Sequence, residues 1–265
     1  MLHDAPKLVS RRVVMRTALL LVCVFLFSVA MAQREVALSE LEVLPPGVTL
    51  PVQLNRALRA GKIKVGTQIV VKTTQRVPVG ENVYLKAGAE VDGEVVASVG
   101  YSRNSSTPAT LSIRFNRLRY GKHSIPMKTK AVAIANFMQV TDTQLPADGG
   151  PDMGNTNEAN WTTRQVGGDV IVRTGWVGPV VGNNVVKVGF ADHDGVYSLA
   201  TPEPDGGPSF PHALGVFSTT AAGLYGFEKG SSLRSEDGTI TVTGPGKSIE
   251  LRNGDNLLLE VIAPS

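Results

Sequence analysis

Residues 85–95 read "LKAGAEVDGEV": an apolar residue, two spacers, a glycine, two more spacers, then alternating apolar residues. The same skeleton stands at 44–54 ("LPPGVTLPVQL") and at 251–261 ("LRNGDNLLLEV"). Val, Ile or Leu lies three residues before and three after Gly47, Gly66, Gly80, Gly88 and Gly254, more often than random placement would put it there. Glycine tolerates positive φ, so each copy reads as a turn followed by a strand whose inward positions are apolar. A glycine loop that cradles an anion needs a helix after it to supply N–H groups. Here period-two segments follow, which are strands.

The same grammar runs through the chain. Its 28 glycines and 16 prolines punctuate short alternating segments. Val48, Leu50, Val52 and Leu54 fall on one face, as do Leu111, Ile113 and Phe115. Further strands are expected at 69–72, 94–99, 131–135, 169–173, 184–190, 239–243 and 256–262. After Phe115 the apolar register switches to Leu118 and Tyr120, which predicts a bulge near Asn116–Arg117. Only 34–44 carries a modest helical period. The expected fold is all-β, barrel- or sandwich-like.

The stretch 142–160 ("DTQLPADGGPDMGNTNEAN") is polar and rich in Gly, Pro and Asn. It reads as a linker or long loop between two β-rich halves: a β-barrel-like domain over 33–141 and a second β-rich domain over 161–265. In a second arrangement the last strand, 256–262, returns to pair with 48–54 and closes the barrel, removing exposed sheet edges. A further loop, 201–212 ("TPEPDGGPSFPH"), interrupts the second half.

Residues 1–32 have the layout of a signal peptide. Lys7, Arg11, Arg12 and Arg16 precede the apolar run 17–29, and "AMA" (30–32) offers a small-x-small cleavage site. The run is shorter than a membrane-spanning helix requires, and no later segment is apolar enough to span a bilayer. Export through the Sec pathway is expected. "SRRVVMR" (10–16) also resembles a twin-arginine signal, which makes Tat export the alternative. The destination is periplasmic, outer-membrane-associated or extracellular.

The leader holds four of the 26 Lys and Arg and one of the 23 Asp and Glu, so 22 of each sign remain after residue 32. A nucleic-acid partner requires a surplus of basic residues on one face, and the balance argues against it. The single cysteine, Cys23, lies in the apolar run. The mature chain therefore has no disulfide, thiolate nucleophile or cysteine-ligated metal, and must be held by core packing.

"TGPGKSIE" (243–250) contains Gly-Lys-Ser, but Thr241 stands where a phosphate loop needs its first glycine. Flanked by strand-like segments, it reads as a hairpin turn. In "FADHDGVYS" (190–198), Asp192 and Asp194 precede a glycine as in a calcium loop. Val196 and Tyr197 occupy positions where an EF-hand wants an oxygen ligand and a glycine. An Asx turn is the favoured reading and calcium on Asp192 and Asp194 the alternative; no other cofactor is indicated. No Gly-x-Ser-x-Gly, Ser-x-x-Lys or His-Glu-x-x-His element occurs. A hydrolase would need a cleft that draws together Asp192, His193, Asp194 and His212.

Aromatic residues concentrate after residue 160. Phe217 and Phe227 suit a core. Trp161, Trp176 and Phe210 stand beside Gly/Pro/Asn-rich loops, and with Tyr197 they form the candidate platform for a glycan or peptide.

Residues 44–135 resemble the C-terminal β-barrel of TrbI-type scaffold proteins of type IV secretion channels. The likeness rests on "LPPGVTLPVQLNRAL" (44–58), "VYLKAGAEVDGEVV" (83–96) and "LSIRFNRLRYGKHSIPM" (111–127), the last leading into a polar hairpin at Tyr120–Lys122. Uncharacterised exported acidobacterial proteins show a similar order, with second halves resembling "NWTTRQVGGDVIV" and "ELRNGDNLLLEV". The chain lacks the channel family's cytoplasmic segment and proline-rich arm, so the resemblance implies a barrel and an envelope location without the channel. The expected role is that of a non-enzymatic envelope or extracellular protein, structural or interacting, with an envelope protein or a glycan as partner.

Overall fold

The structure is a computed structural model that describes residues 42–80, 82–104, 107–145, 160–200, 209–246 and 248–263. The expected signal helix over 1–32 and residues 146–159 of the expected linker lie outside the described residues. The chain is mostly β. Its strands are β1 (Thr49–Leu54), β2 (Leu58–Arg59), β3 (Gln68–Thr73), β4 (Val77–Gly80), β5 (Val83–Leu85) and β6 (Glu90–Val99). Next come β7 (Ala109–Tyr120), β8 (His123–Pro126), β9 (Lys128–Ala135) and a short helix α1 (Phe137–Asp142). Then follow β10 (Asn160–Arg164), β11 (Val170–Thr174), β12 (Gly178–Val181), β13 (Lys187–Asp192) and β14 (Gly195–Ser198). The series ends with β15 (Gly223–Tyr225), β16 (Ser232–Glu236), β17 (Thr239–Gly244), β18 (Glu250–Leu251) and β19 (Asn256–Ile262).

Four of the five skeleton glycines perform one repeated operation. Gly47, Gly66, Gly88 and Gly254 all have φ between 82° and 92°, and β1, β3, β6 and β19 each begin two residues later. Each glycine N–H donates to a carbonyl of the neighbouring strand, at Val261, Val95, Thr73 and Leu54 respectively. That residue's own N–H donates back to the carbonyl following the glycine, as in Thr73 N–H to Ala89 O at 2.9 Å. Two residues therefore oppose one, with a left-handed glycine leading, which is the G1 type of β-bulge. The operation is reciprocal within pairs: Gly47 serves β19 and Gly254 serves β1, while Gly66 serves β6 and Gly88 serves β3. The apolar positions three residues after each glycine (Leu50, Ile69, Val91 and Leu257) are wholly buried. Gly80, the fifth, ends β4 without positive φ.

These four strands are consecutive neighbours in a ten-stranded sheet of order β15-β9-β19-β1-β3-β6-β7-β17-β16, with β8 paired on β7. The sheet draws strands from both sides of residues 142–160, so it is not confined to 33–141. Strands pair with whichever edge the fold brings alongside, and β19 fits between β1 and β9. Asn116 is the extra residue on β7, because Asp92 pairs with Arg117 and Gly93 with Phe115. The bulge carries the side-chain alternation from Phe115 to Leu118, both wholly buried. The sheet curls back on itself: Ser235 on the terminal strand β16 hydrogen-bonds Ala131 on β9, next to the opposite end. The result is a nearly closed barrel filled by side chains such as Leu54, Val71, Val95, Ile113, Val242 and Leu259.

The segment 243–250 departs from the hairpin reading. β17 ends at Gly244, and β18 pairs with β2 rather than with β17, so the stretch connects two sheets. Helix α1 was not legible because six residues cannot show a helical period. Its N-terminus is fastened from two directions. Asn136 accepts from Gln139 N–H, and Asp255, across the chain, accepts from Phe137 N–H at 2.8 Å.

The remaining large sheet is a five-stranded antiparallel meander, β10 to β14 in order. One face packs Ile171, Val180, Ala191 and Val196 against Leu214. Gln75, in the turn after β3, docks the meander on the barrel. Its buried side chain accepts from Val196 N–H at 3.0 Å and Gly215 N–H at 2.9 Å, and donates to Val196 O at 2.9 Å.

Candidate ligand-binding site

The hairpin β10–β11 pairs Trp161 with Arg173 and Thr163 with Ile171. Alternation puts all four side chains on one face. Ile171 and Thr163 belong to its packed part, while Trp161 and Arg173 stand at the end where packing stops. The chain then turns through Gly175 (φ 64°), which sends Trp176 outward.

The three side chains support one another. Trp161 Nε1–H donates to Gly175 O at 2.9 Å, which anchors the indole to the turn. Arg173 lies over the Trp161 ring, 5.3 Å from its centroid. Its Nη1 donates to Trp176 O at 2.9 Å, and Nε reaches Thr163 Oγ1 at 3.3 Å. Trp176 meets Trp161 edge to face, with centroids 5.9 Å apart and planes at 86°. Trp176 is 67% exposed, the most exposed aromatic ring among the described residues. A held indole therefore supports a second that is largely open to solvent.

Tyr197 and Phe210 do not join them. Tyr197 is 2% exposed, stacks on Phe190 and donates its hydroxyl to Arg76 O. Burial pushes its pKa up to about 12. Phe210 is 5% exposed and stacks on His212. Both neighbour sequences rich in turn residues, yet their rings are buried.

Asp192 and Asp194 sit in the turn between β13 and β14. Asp192 Oδ1 accepts from the N–H groups of Asp194 and Gly195, at 2.8 and 2.9 Å. This is the Asx turn read from "DHDG". Asp194 forms an ion pair with Arg76 at 2.8 Å. Both carboxylates thus serve local structure, and no group of three or more metal-ligating side chains occurs among the described residues. His212 is at the other end of β14, where its N–H donates to Ser198 Oγ. The acidic turn and this histidine do not converge.

A groove of about 550 Å³ runs between barrel and meander, lined by Thr49, Val132, Leu258, Val188, Ser218 and His212 among others. It has the volume of a small-molecule site. Its hydroxyls are engaged locally, for example Thr49 with Ala213 O.

Arg173 is the site residue that sequence reading passed over. The signal was present: "QVGGD" (165–169) contains a Gly-Gly turn, and Trp161 and Arg173 are equidistant from Gly167. Counting outward from that turn pairs the indole with the guanidinium. No protein family matches the chain, and no curated protein or solved structure resembles it closely enough to count as a match.

Proposed function

We propose that this is an exported, non-enzymatic β protein of the cell envelope or exterior that binds a partner through the Trp176–Trp161–Arg173 edge. The observation that carries this reading is the 67% exposure of Trp176, held in place by a partly buried tryptophan and an arginine. Exposing so large an apolar ring costs solvation unless a partner covers it, and Trp and Arg are the residues that anchor binding surfaces. Export rests on the leader-like layout of residues 1–32. Among the described residues no helix is long and apolar enough to cross a membrane.

The test is tryptophan fluorescence of the full chain titrated with solubilised cell-wall fragments. A saturable change that disappears in Trp176→Ala is expected. Fragments that leave the emission of both indoles unchanged would overturn the reading.

A further inference from the structure

Arg173 differs from strand arginines such as Arg114 and Arg234, which are exposed to solvent, and from those that face a carboxylate. Arg76 faces Asp194, and Arg117 and Arg119 both face Asp92. Arg173 is half-buried against Trp161, yet no carboxylate of a described residue lies within ion-pair distance of it. Its two hydrogen bonds, to Thr163 Oγ1 and Trp176 O, use Nε and Nη1 and leave Nη2 without a partner among the described residues. Burial pulls the group below its usual pKa, but a guanidinium remains charged at neutral pH. A partly desolvated cation without a counter-charge among the described residues is a place where an anion gains most.

We propose that the Trp176–Arg173 edge recognises an acidic saccharide, with a sugar ring packed on the Trp176 indole and its carboxylate on the Arg173 guanidinium. The proposal rests on the reading of this edge as the binding surface. A pyranose offers a flat face of C–H bonds that packs on an indole as other flat apolar surfaces do. The planar guanidinium fork matches a carboxylate. The two elements are close together, since Arg173 Nη1 bonds the carbonyl of Trp176 itself. One ring and one charge therefore suffice to engage both. A peptide is usually taken up along a sheet edge or in a groove with successive pockets. Trp176, the open ring, instead stands at the tip of the turn between β11 and β12 and not on the edge strand β10.

The experiment titrates the full-length protein with an oligomer of uronic acid and with its methyl ester, following tryptophan fluorescence at low and high salt. The acid should bind roughly tenfold more tightly than the ester, the usual scale of a charge-assisted hydrogen bond, and the advantage should shrink with salt. In Arg173→Gln the acid should bind no more tightly than the ester. Arg173→Lys, which keeps the charge but not the fork, should fall between. Equal affinity of the wild-type protein for acid and ester would overturn the acid preference while leaving the aromatic surface standing. Failure of either sugar to change the emission, with a glutamate-rich peptide binding instead, would overturn the saccharide assignment. Silence towards all three, and towards cell-wall fragments, would remove the surface as well. The comparison of acid with ester needs no variant, so a misfolded Arg173→Gln leaves the test intact.

Discussion

Ser235 closes the barrel on Ala131: its Oγ accepts from Ala131 N–H at 3.0 Å and reaches Ala131 O at 3.3 Å. One hydroxyl thus serves as both donor and acceptor for a residue whose strand partner, Leu259 on β19, lies on its other side. The terminal strand β16 and the second strand from the other end, β9, are joined there by a side chain rather than by strand pairing. Nearby, Lys128 and Asp237 form an ion pair across the same seam.

Ser235→Ala should therefore leave both backbone groups of Ala131 without their partner. Stability should fall by about 1–3 kcal/mol, the cost of unsatisfied part-buried polar groups. Urea denaturation measures the loss, and faster hydrogen exchange at the Ala131 amide would place it at the seam.

Gln75→Ala should cost more, about 3 kcal/mol, because it strands the N–H groups of Val196 and Gly215 and the carbonyl of Val196 together. Gln75→Glu should not rescue it, since a carboxylate cannot donate to Val196 O. Denaturation of the two variants, with exchange rates at Val196 and Gly215, provides the check. The meander amides should open before those of the barrel.

The two glycines of 85–95 should respond differently to alanine. Gly88 has φ 85° and open space where a Cβ would go, so Gly88→Ala should cost only the left-handed backbone, about 1–2 kcal/mol. At Gly93 an added Cβ would run into Arg114 O and approach Phe115 Cδ1 to 2.6 Å. Gly93→Ala should cost about 3 kcal/mol or more, the upper range for overpacking, because the obstruction is backbone. Thermal melts of the pair compare strain with collision directly.

Asp92 gives the barrel an acid limb. Burial by itself would raise its carboxyl pKa, but hydrogen bonds from Arg119 and Arg117 outweigh that and hold it below the ordinary 3.8. The unfolded chain then binds more protons than the folded one as pH falls below about 4, so stability declines through that window. In Asp92→Asn this contribution should be missing at neutral pH. Wild type and variant should converge in stability as pH falls, as followed by urea midpoints at successive pH values.

Much of the barrel was legible in local residue order because the bulge that opens its strands is a local device. A left-handed turn needs glycine, and the buried position three residues later needs Val, Ile or Leu. Both requirements are written within seven residues. The switch of register after Phe115 and the Asx turn at Asp192 were legible for the same reason: neighbours in sequence satisfy them. The candidate site was legible in part. Trp161 and Trp176 carry visible bulk beside turn residues, but the burial of Tyr197 and Phe210 depends on what packs over them.

What the sequence alone determined is thus the strand grammar: where the chain turns, which positions face inward, and that an all-β fold results. The tertiary structure decided which strands become neighbours. It placed β19 between β1 and β9, docked the meander through one glutamine, and left Arg173 with no carboxylate partner among the described residues, beside an exposed indole. The reason is physical. A turn is settled by the conformational limits of the residues in it, whereas pairing, burial and charge compensation are settled by groups far apart along the chain that meet only when the barrel closes.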